Sequence, residues 1–257
     1  RGKNDAADAE AICEAVTRPT MRFVGAKSPD QQATMMLHRV RKILTRQRTQ
    51  ISNALRAHMA EFGITAAIGR GGLDRLIAVI ADQDDARLPD EARACLGVLC
   101  TQLEMVKEQI LDNDRRILAD ARKTEASRWL MKIPGIGPLL ASAIVACVPD
   151  PATFSNARSL SAWIGLTPRQ NSSGGKERLG SITKAGNPYL RELLVVGAMA
   201  VVRRAKQGST KRPWVMQLLE RKKPKVAAVA LANKNARIIW AMMTTGEAYR
   251  EPELAAA

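Results

Sequence analysis

A polar segment rich in hydroxyl groups and cations is the part of the sequence best suited to chemistry. It covers residues 168–178 and places Ser172 and Ser173 directly before a Gly-Gly pair. A serine hydroxyl attacks a phosphodiester only if its proton is removed or the developing negative charge is stabilised. The cations available for that stabilisation are Arg169, Lys176, Arg178, Lys184 and Arg191. By composition alone the segment is more typical of a flexible surface loop, so the catalytic interpretation needs further support.

A conventional Ser-His-Asp hydrolase is disfavoured by where the histidines lie. The sequence contains two, His38 and His58, and both fall on the first long predicted helix, far along the chain from the two serines. Of the five cations, Arg191 falls at the start of an apolar helix and could face the same cleft. A basic residue at the start of a helix needs no functional explanation by itself. Cationic stabilisation of a phosphate is therefore the chemistry that the segment favours.

Two carboxylates near the start of the sequence are candidate metal ligands. Asp5 and Asp8 are three residues apart and so share one face of a predicted helix. Carboxylate oxygens are the ligands that Mg²⁺ prefers, and phosphoryl-transfer sites commonly use several of them. Acidic residues in a first helical turn are also favoured by the helix dipole, and that explanation is sufficient for the pair in isolation.

A Pro-Gly-Ile-Gly turn separates two short predicted helices at residues 133–138. Gly135 and Gly137 would let the backbone turn tightly and approach a phosphate, and the free amides of the second helix would point at the anion. This is the form of a helix-hairpin-helix, which contacts the nucleic-acid backbone and not the bases. The alternative is an ordinary turn between helices.

The charge balance indicates a polyanionic partner. The 257 residues carry 40 Lys and Arg against 25 Asp and Glu, a net charge of +15. Residues 167–225 hold 14 Lys or Arg against three Glu, so most of the excess lies there. A positive field of this size is typical of proteins that bind nucleic acid.

Aliphatic periodicity predicts a mainly α fold. The sequence is 46% hydrophobic but only 4% aromatic, which favours helices over sandwiches or barrels. We expect a long coiled-coil hairpin formed by residues 28–62 and 88–122, followed by a helical C-terminal domain that contains the helix-hairpin-helix. The second long helix shows a regular seam of apolar residues with one polar position. The seam residues are Leu96, Leu99, Leu103, Val106, Ile110, Asn113 and Ile117.

The same pattern leaves the pairing of the seam open. Asn113 could fix the register or the number of partners, or it could face water. The seam could close within one chain or between subunits, and we favour dimerisation. The four cysteines form no C-x-x-C pair, and the sequence shows neither a signal peptide nor an apolar run long enough for a membrane span. We therefore expect a cytoplasmic protein without a membrane partner.

Read in order, several motifs resemble one family over nearly the whole chain. They are K-N-D-A-A-D-A, P-G-I-G, A-x-F-S-x-A-x-x-L-x-A-W-I-G-L-x-P, S-S-G-G and I-T-K-A-G-N-x-x-L-R. The chain is similar to the DEDD transposases of bacterial insertion sequences, a group that includes the Piv and MooV invertases and the bridge-RNA-guided recombinases. This resemblance strengthens the serine segment as a catalytic candidate.

The resemblance implies a site and a domain order. The family joins an RNase H-like (RuvC-like) domain, with four acidic Mg²⁺ ligands, to a C-terminal domain with a serine nucleophile. Its last two acidic positions match Asp5 and Asp8, and its serine matches Ser173, with Ser172 as the nearest competitor. Residues 1–24 would then be the end of the RuvC-like domain, 25–122 the coiled coil and 123–257 the transposase C-terminal domain. The first two acidic positions would precede Arg1, so we expect a truncated and inactive form.

Site-specific recombination is the activity that the resemblance implies. The serine would attack a DNA phosphate, a bridge RNA would guide target choice, and a dimer or tetramer would combine the carboxylates of one subunit with the serine of another. Such a protein would work in the bacterial cytoplasm, associated with the nucleoid. Two other classes stay open: a non-enzymatic helix-hairpin-helix protein that binds or shapes DNA, and a basic RNA-binding protein.

Overall fold

The computed structural model describes residues 4–19, 21, 23, 25–176, 178–208 and 213–250. These residues form ten α-helices and one two-stranded sheet, which confirms the predicted mainly α fold. The helices are α1 (Asp5–Thr17), α2 (Pro29–Glu61), α3 (Arg70–Ala81), α4 (Asp90–Lys123), α5 (Glu125–Leu130), α6 (Pro138–Cys147), α7 (Ala157–Ile164), α8 (Pro188–Lys206), α9 (Pro213–Arg221) and α10 (Pro224–Thr245). The strands are β1 (Pro168–Gln170) and β2 (Leu179–Ile182).

The two longest helices, α2 and α4, pack antiparallel against each other. Arg41 near the start of α2 pairs with Asp114 near the end of α4 at 2.5 Å, and Ile51 and Leu55 share a core with residues of the first half of α4. Helix α2 begins with a capping box at Ser28, because that side chain and Gln31 satisfy each other's backbone amides. The sequence pattern therefore marks both the start of α2 and the apolar face that it buries.

The predicted seam of α4 is buried within the chain. Leu96, Leu103, Val106 and Ile110 all lie in the core shared with α2 and α3. Asn113 is 7% exposed, and its Oδ1 atom lacks a hydrogen-bond partner among the described residues. The seam thus packs on α2 of the same chain, which is the intrachain alternative of the two that the sequence left open.

A second hydrophobic core holds the C-terminal half together. It includes residues of α6, α7, α8 and α10, with Leu140, Leu160, Leu190 and Leu231 almost completely buried. Helix α6 packs on α2 and α4 as well as on α8, so it joins the long helices to the C-terminal helices. The first residue of this core along the chain, Leu130, lies in α5, which directly follows α4.

Helix α1 stands apart from the rest of the fold. Its residues are exposed almost throughout, and α1 packs on no other helix or strand of the described chain. Residues 1–3, 20, 22 and 24 of the segment assigned to the end of a RuvC-like domain lie outside the described residues. Within the described ranges, no helix combines the length and apolar character that crossing a bilayer requires.

Candidate functional site

The serine segment forms a β-hairpin. Strands β1 and β2 pair antiparallel, and beyond them the Asn171 amide donates to the Arg178 carbonyl at 2.8 Å. A bridge between Ser173 and Lys176 closes the tip. Gly174 and Gly175 occupy the turn with φ of +56° and +76°, the left-handed conformations that a tight type I′ hairpin turn requires. We call residues 168–182 the serine hairpin.

The two serines of this hairpin have different surroundings. Both are exposed. The Ser172 hydroxyl accepts a hydrogen bond from the Arg178 amide at 3.2 Å and so helps to hold the hairpin closed. The Ser173 hydroxyl has no hydrogen-bond partner among the described residues, and its backbone is fixed by the Lys176 amide at 3.1 Å. Ser173 therefore presents a free hydroxyl on a fixed backbone.

Two glycines and one arginine anchor the base of the serine hairpin. A Cβ at Gly165 would lie 2.2 Å from the Ala185 carbonyl oxygen, and a Cβ at Gly186 would lie 1.7 Å from that of Trp163. The Arg191 guanidinium donates to the carbonyls of Ile164 and Ala185 at 2.8 and 2.9 Å. The turn before α8 is thus packed backbone to backbone on the end of α7.

The predicted cations divide into two groups along the hairpin. Lys176 and Arg178 lie at the tip beside Ser173, and both are exposed. Arg169, Lys184 and Arg191 lie toward the base, where Arg169 donates to the Thr183 carbonyl at 3.2 Å. At about 3.3 Å per strand residue, tip and base are about 15 Å apart. The five cations predicted from the sequence therefore form a basic strip along the hairpin. Within it, Arg191 has a structural role, because its guanidinium holds the base of the hairpin.

The predicted metal ligands lie in the first turn of α1. Asp5 and Asp8 are both exposed, and Asn4 caps the helix by accepting from the Ala7 amide at 2.7 Å. Among the described residues no three His, Cys, Asp or Glu side chains are grouped as a metal site requires. Because α1 packs on neither strand, the structure does not bring these carboxylates together with the serine hairpin.

The Pro-Gly-Ile-Gly turn lies between α5 and α6, as predicted from the sequence. Gly135 has a φ of +91°, and its carbonyl oxygen is so close to α8 that a Cβ at Gly197 would lie 1.9 Å from it. Gly137 is exposed at the start of α6, with open space where a Cβ would be. Packing thus accounts for Gly135, whereas Gly137 leaves an accessible helix start without a side-chain cap.

Sequence reasoning missed a buried polar chain that joins four helices. His38 of α2 is 1% exposed, and its Nδ1 and Nε2 atoms lie 3.0 and 3.1 Å from the hydroxyls of Tyr189 and Ser142. Ser142 donates to Asp120 at 2.7 Å, and Thr34 donates to the other oxygen of that carboxylate at 3.3 Å. The only signal in the sequence is a histidine on a helix face that is otherwise apolar.

Proton positions in this chain follow from its connectivity. Ser142 uses its single proton on Asp120, so Nε2 of His38 donates to Ser142 and Nδ1 accepts from Tyr189. Burial lowers the pKa of His38 to about 4, against the opposing effect of the Asp120 charge, and burial raises the pKa of Tyr189 to about 12. Both residues therefore stay uncharged at neutral pH, and the chain serves as a structural joint.

Comparison with known proteins places the chain in a family. Residues 127–213 match the model of the family described as "Transposase IS116/IS110/IS902 family". A Sinorhizobium fredii protein with a transposase name, y4pF/y4sB, is 48% identical over 255 residues, which are 98% of this chain and 65% of that protein. The transposase for insertion sequence element IS1111A of Coxiella burnetii is 41% identical over 96% of this chain and 68% of its own length.

A further relative agrees with this assignment. The transposase for insertion sequence element IS1328 of Yersinia enterocolitica is 39% identical over 96% of this chain and 73% of its own length. The chain thus spans about two thirds of the length of these curated relatives. The match covers α5 to α8, and so includes the Pro-Gly-Ile-Gly turn and the serine hairpin. The chain belongs to the IS116/IS110/IS902 family of transposases.

Proposed function

We propose that this chain acts in DNA strand exchange for an insertion sequence, with Ser173 as the nucleophile. The observation that carries the proposal is the serine hairpin, which presents a hydroxyl free of hydrogen bonds among the described residues, next to exposed Lys176. An exposed nucleophile on a rigid turn suits a substrate as large as a nucleic-acid duplex. Ser172 is the alternative nucleophile, but its hydroxyl already accepts a hydrogen bond from the hairpin backbone.

The proposed reaction of Ser173 with DNA is a transesterification. A bond forms between Ser173 Oγ and a backbone phosphorus, and the bond from that phosphorus to the 3′ oxygen breaks. The serine loses its proton to a base, and the leaving 3′ oxygen gains one. The phosphoserine ester conserves the energy of the phosphodiester, so a 3′ hydroxyl of a new strand can reverse the step.

The basic strip supplies the electrostatic part of the proposal. Lys176 and Arg178 would stabilise the charge that develops on the attacked phosphate, because they share the tip with Ser173. Arg169 and Lys184 would hold neighbouring phosphates along the hairpin. Arg191 would act indirectly, because its guanidinium donates to two carbonyls and so fixes the base of the hairpin.

Magnesium is proposed only as an expectation from the family resemblance. Asp5 and Asp8 have the donor chemistry that Mg²⁺ prefers. Two carboxylates do not make a complete site, and the described residues offer no third ligand beside them. The family resemblance is also the basis for two further proposals. A bridge RNA would guide target choice, and a dimer or tetramer would be the active form.

The turn between α5 and α6 is proposed as a second, sequence-independent contact with DNA. Gly137 leaves the start of α6 accessible, and helix starts favour phosphate groups. Because such a contact holds the backbone without distinguishing bases, target choice would come from elsewhere.

Trapping the covalent intermediate tests the proposed function. The chain, and the same chain preceded by the N-terminal segment of its Sinorhizobium fredii relative, would be incubated with labelled, nicked DNA, and protein-linked label would be measured on denaturing gels. In the extended chain we expect linkage with the wild-type sequence and with Ser172→Ala, and none with Ser173→Ala. The 257-residue chain alone, which carries two of the four acidic residues that the family resemblance implies, should form no linkage. Binding of the unnicked duplex by Ser173→Ala should be unchanged and should weaken steeply with salt.

Two outcomes would overturn the proposal. Covalent linkage that survives the double change Ser172→Ala and Ser173→Ala would remove serine catalysis. Nucleic-acid affinity that does not respond to salt would remove the electrostatic role of the basic strip. DNA binding without linkage in any form would favour the non-enzymatic alternative.

A further inference from the structure

A basic cavity lies between the central parts of the two long helices and α3. It is an open cavity of about 600 Å³ between α2, α3 and α4. Four basic side chains and one carboxylate, Asp74, line it. The basic residues are Arg48, Arg56, Arg70 and Lys107. Side chains that can donate or accept hydrogen bonds, such as Asn53, and the exposed Ile68 and Leu111 complete the lining.

Arg56 builds one wall of this cavity. Its guanidinium donates to the carbonyls of Ala67 and Gly69 at 3.1 and 2.7 Å and is close to that of Ala66 at 3.5 Å. The segment before α3 is therefore held against α2. Gly69 adopts a φ of +114°, and a Cβ at Gly72 would lie 1.8 Å from the Ala67 carbonyl oxygen. Gly69 and Gly72 are thus required for this close approach.

The other three cations have no ion-pair partner among the described residues. Arg48, Arg70 and Lys107 come from three different helices, and none forms a salt bridge within the described chain. Even Asp74, one turn after Arg70 and on the lining of the same cavity, is not paired with it. Three unpaired cations around one cavity repel one another, so an anion that enters it relieves their repulsion.

The shape of the cavity suits a phosphate on a large, accessible polymer. Arg48 and Arg70 are exposed, and Gly71 has open space where a Cβ would be, so backbone can be approached closely at the start of α3. Ile68 is fully exposed at 101%. A single apolar side chain beside cations can contact a sugar or a base while the cations hold the phosphates.

We propose that this cavity binds a backbone phosphate of a nucleic acid. It would be a third contact, built on the core of α2, α3 and α4, whereas the serine hairpin and the turn before α6 are attached to the separate C-terminal core. The inference rests on the proposed nucleic-acid binding of the chain, and it adds that the long helices take part in that binding. The phosphate could belong to DNA or to a structured RNA.

Charge-matched variants of the 257-residue chain test the inference. The site variant is Arg48→Gln, Arg70→Gln and Lys107→Gln. The control variant is Arg46→Gln, Arg75→Gln and Arg115→Gln, which removes the same charge from exposed positions of the same three helices outside the cavity. Fluorescence anisotropy would measure the binding of a labelled DNA duplex and of a labelled RNA hairpin across a salt series.

We expect the site variant to bind at least about tenfold more weakly than the control variant, with a salt slope lower by about 2 to 3. Asp74→Asn provides the opposite test: it removes the carboxylate that the described residues contribute to the lining and should strengthen binding about two- to threefold. Loss confined to the RNA or to the DNA probe would identify the source of the phosphate. Circular dichroism would verify that each variant keeps its helical content.

If the site and control variants lowered nucleic-acid affinity equally, the inference would be overturned, because the loss of net charge alone would then explain the weaker binding. A change in subunit number without a change in affinity would also overturn it, since the cavity would then hold a second copy of the chain. If wild type binds neither probe, the proposed function fails together with the inference. If Ser173 forms the covalent intermediate but the cavity substitutions do not change affinity relative to the control, the proposed function holds and only this inference fails.

Discussion

The Nε2 atom of His38 lies 3.1 Å from the Ser142 hydroxyl oxygen, although 104 residues separate them in the chain. This bond is the centre of the polar chain that joins α2, α4, α6 and α8. Because His38 is almost completely buried, its imidazole is stable in the fold only as the neutral form. The fold therefore carries a pH dependence that originates at one residue.

His38 should make the protein less stable as the pH falls from about 6.5 toward 4. In the folded protein the pKa of His38 is about 4, below the ordinary value of 6.5. Between these two pH values the unfolded chain therefore binds a proton at His38 that the folded chain does not bind. The stabilisation is fully present well above pH 6.5 and is lost progressively as the pH falls from 6.5 to about 4. The free energy of unfolding in urea should drop by about 2 kcal/mol between pH 7.5 and 5.

The second histidine provides the control for this prediction. His58 lies on the same helix with its side chain 55% exposed. His58→Gln should retain the drop in unfolding free energy, whereas His38→Gln should remove most of it. Identical pH profiles for the two variants would show that other groups cause the effect.

Gly197→Ala should destabilise the fold by about 2 kcal/mol or more, because the new Cβ would collide with the Gly135 carbonyl oxygen and force α8 away from the turn. Gly97 in α4 is the matched control: it is also inside a helix, but open space surrounds its Cβ position. Gly97→Ala should stabilise the protein by up to about 1 kcal/mol. Thermal unfolding of both variants would reveal opposite shifts.

Arg93 should be essential for the connection between α3 and α4. It is 6% exposed, and its guanidinium donates to the carbonyls of Val79, Ile80 and Asp85, among others, at the end of α3 and in the following turn. Arg93→Lys cannot reach them all, so we expect a loss of about 2 to 3 kcal/mol in urea unfolding. Arg115→Lys, an exposed change in the same helix, should be neutral. A similar loss in both would contradict this role.

The turn of the serine hairpin should tolerate asparagine but not valine. Gly174 has a φ of +56°, a conformation that Asn adopts readily and that β-branched residues resist. Gly174→Asn should keep the Asn171 amide protected from hydrogen exchange, and Gly174→Val should expose it at a cost of about 1 to 2 kcal/mol. Equal protection in the two variants would mean that the strands alone hold the hairpin.

The long helices were predictable because their apolar spacing is regular. Leu103, Val106 and Ile110 repeat every three to four residues and are buried as that spacing predicts. The face of α2 was less well predicted, since Val40 and Phe62 are 40% and 38% exposed. Phe62 lies just after the last residue of α2, and Val40 lines an open cavity between α2 and α4. A periodic pattern within one helix reveals neither feature.

The serine hairpin and the polar chain show where sequence patterns lose information. All three residues of β1 are exposed, so the alternation of apolar and polar residues that marks a half-buried strand is absent. The residues bonded to His38 lie more than 100 positions away, so no local pattern identifies them. The serines and cations could be selected by residue type, but their division between tip and base follows only from the hairpin register.

The position of Tyr189 has a mechanical consequence. It lies in the first turn of α8, just after the turn that closes the base of the serine hairpin, and its hydroxyl is held by His38 of α2. Rotating α2 against α8 would leave Nδ1 of the buried His38 without its hydrogen-bond donor. The hydrogen bond therefore ties the start of α8, and with it the base of the hairpin that carries Ser173, to the first of the long helices.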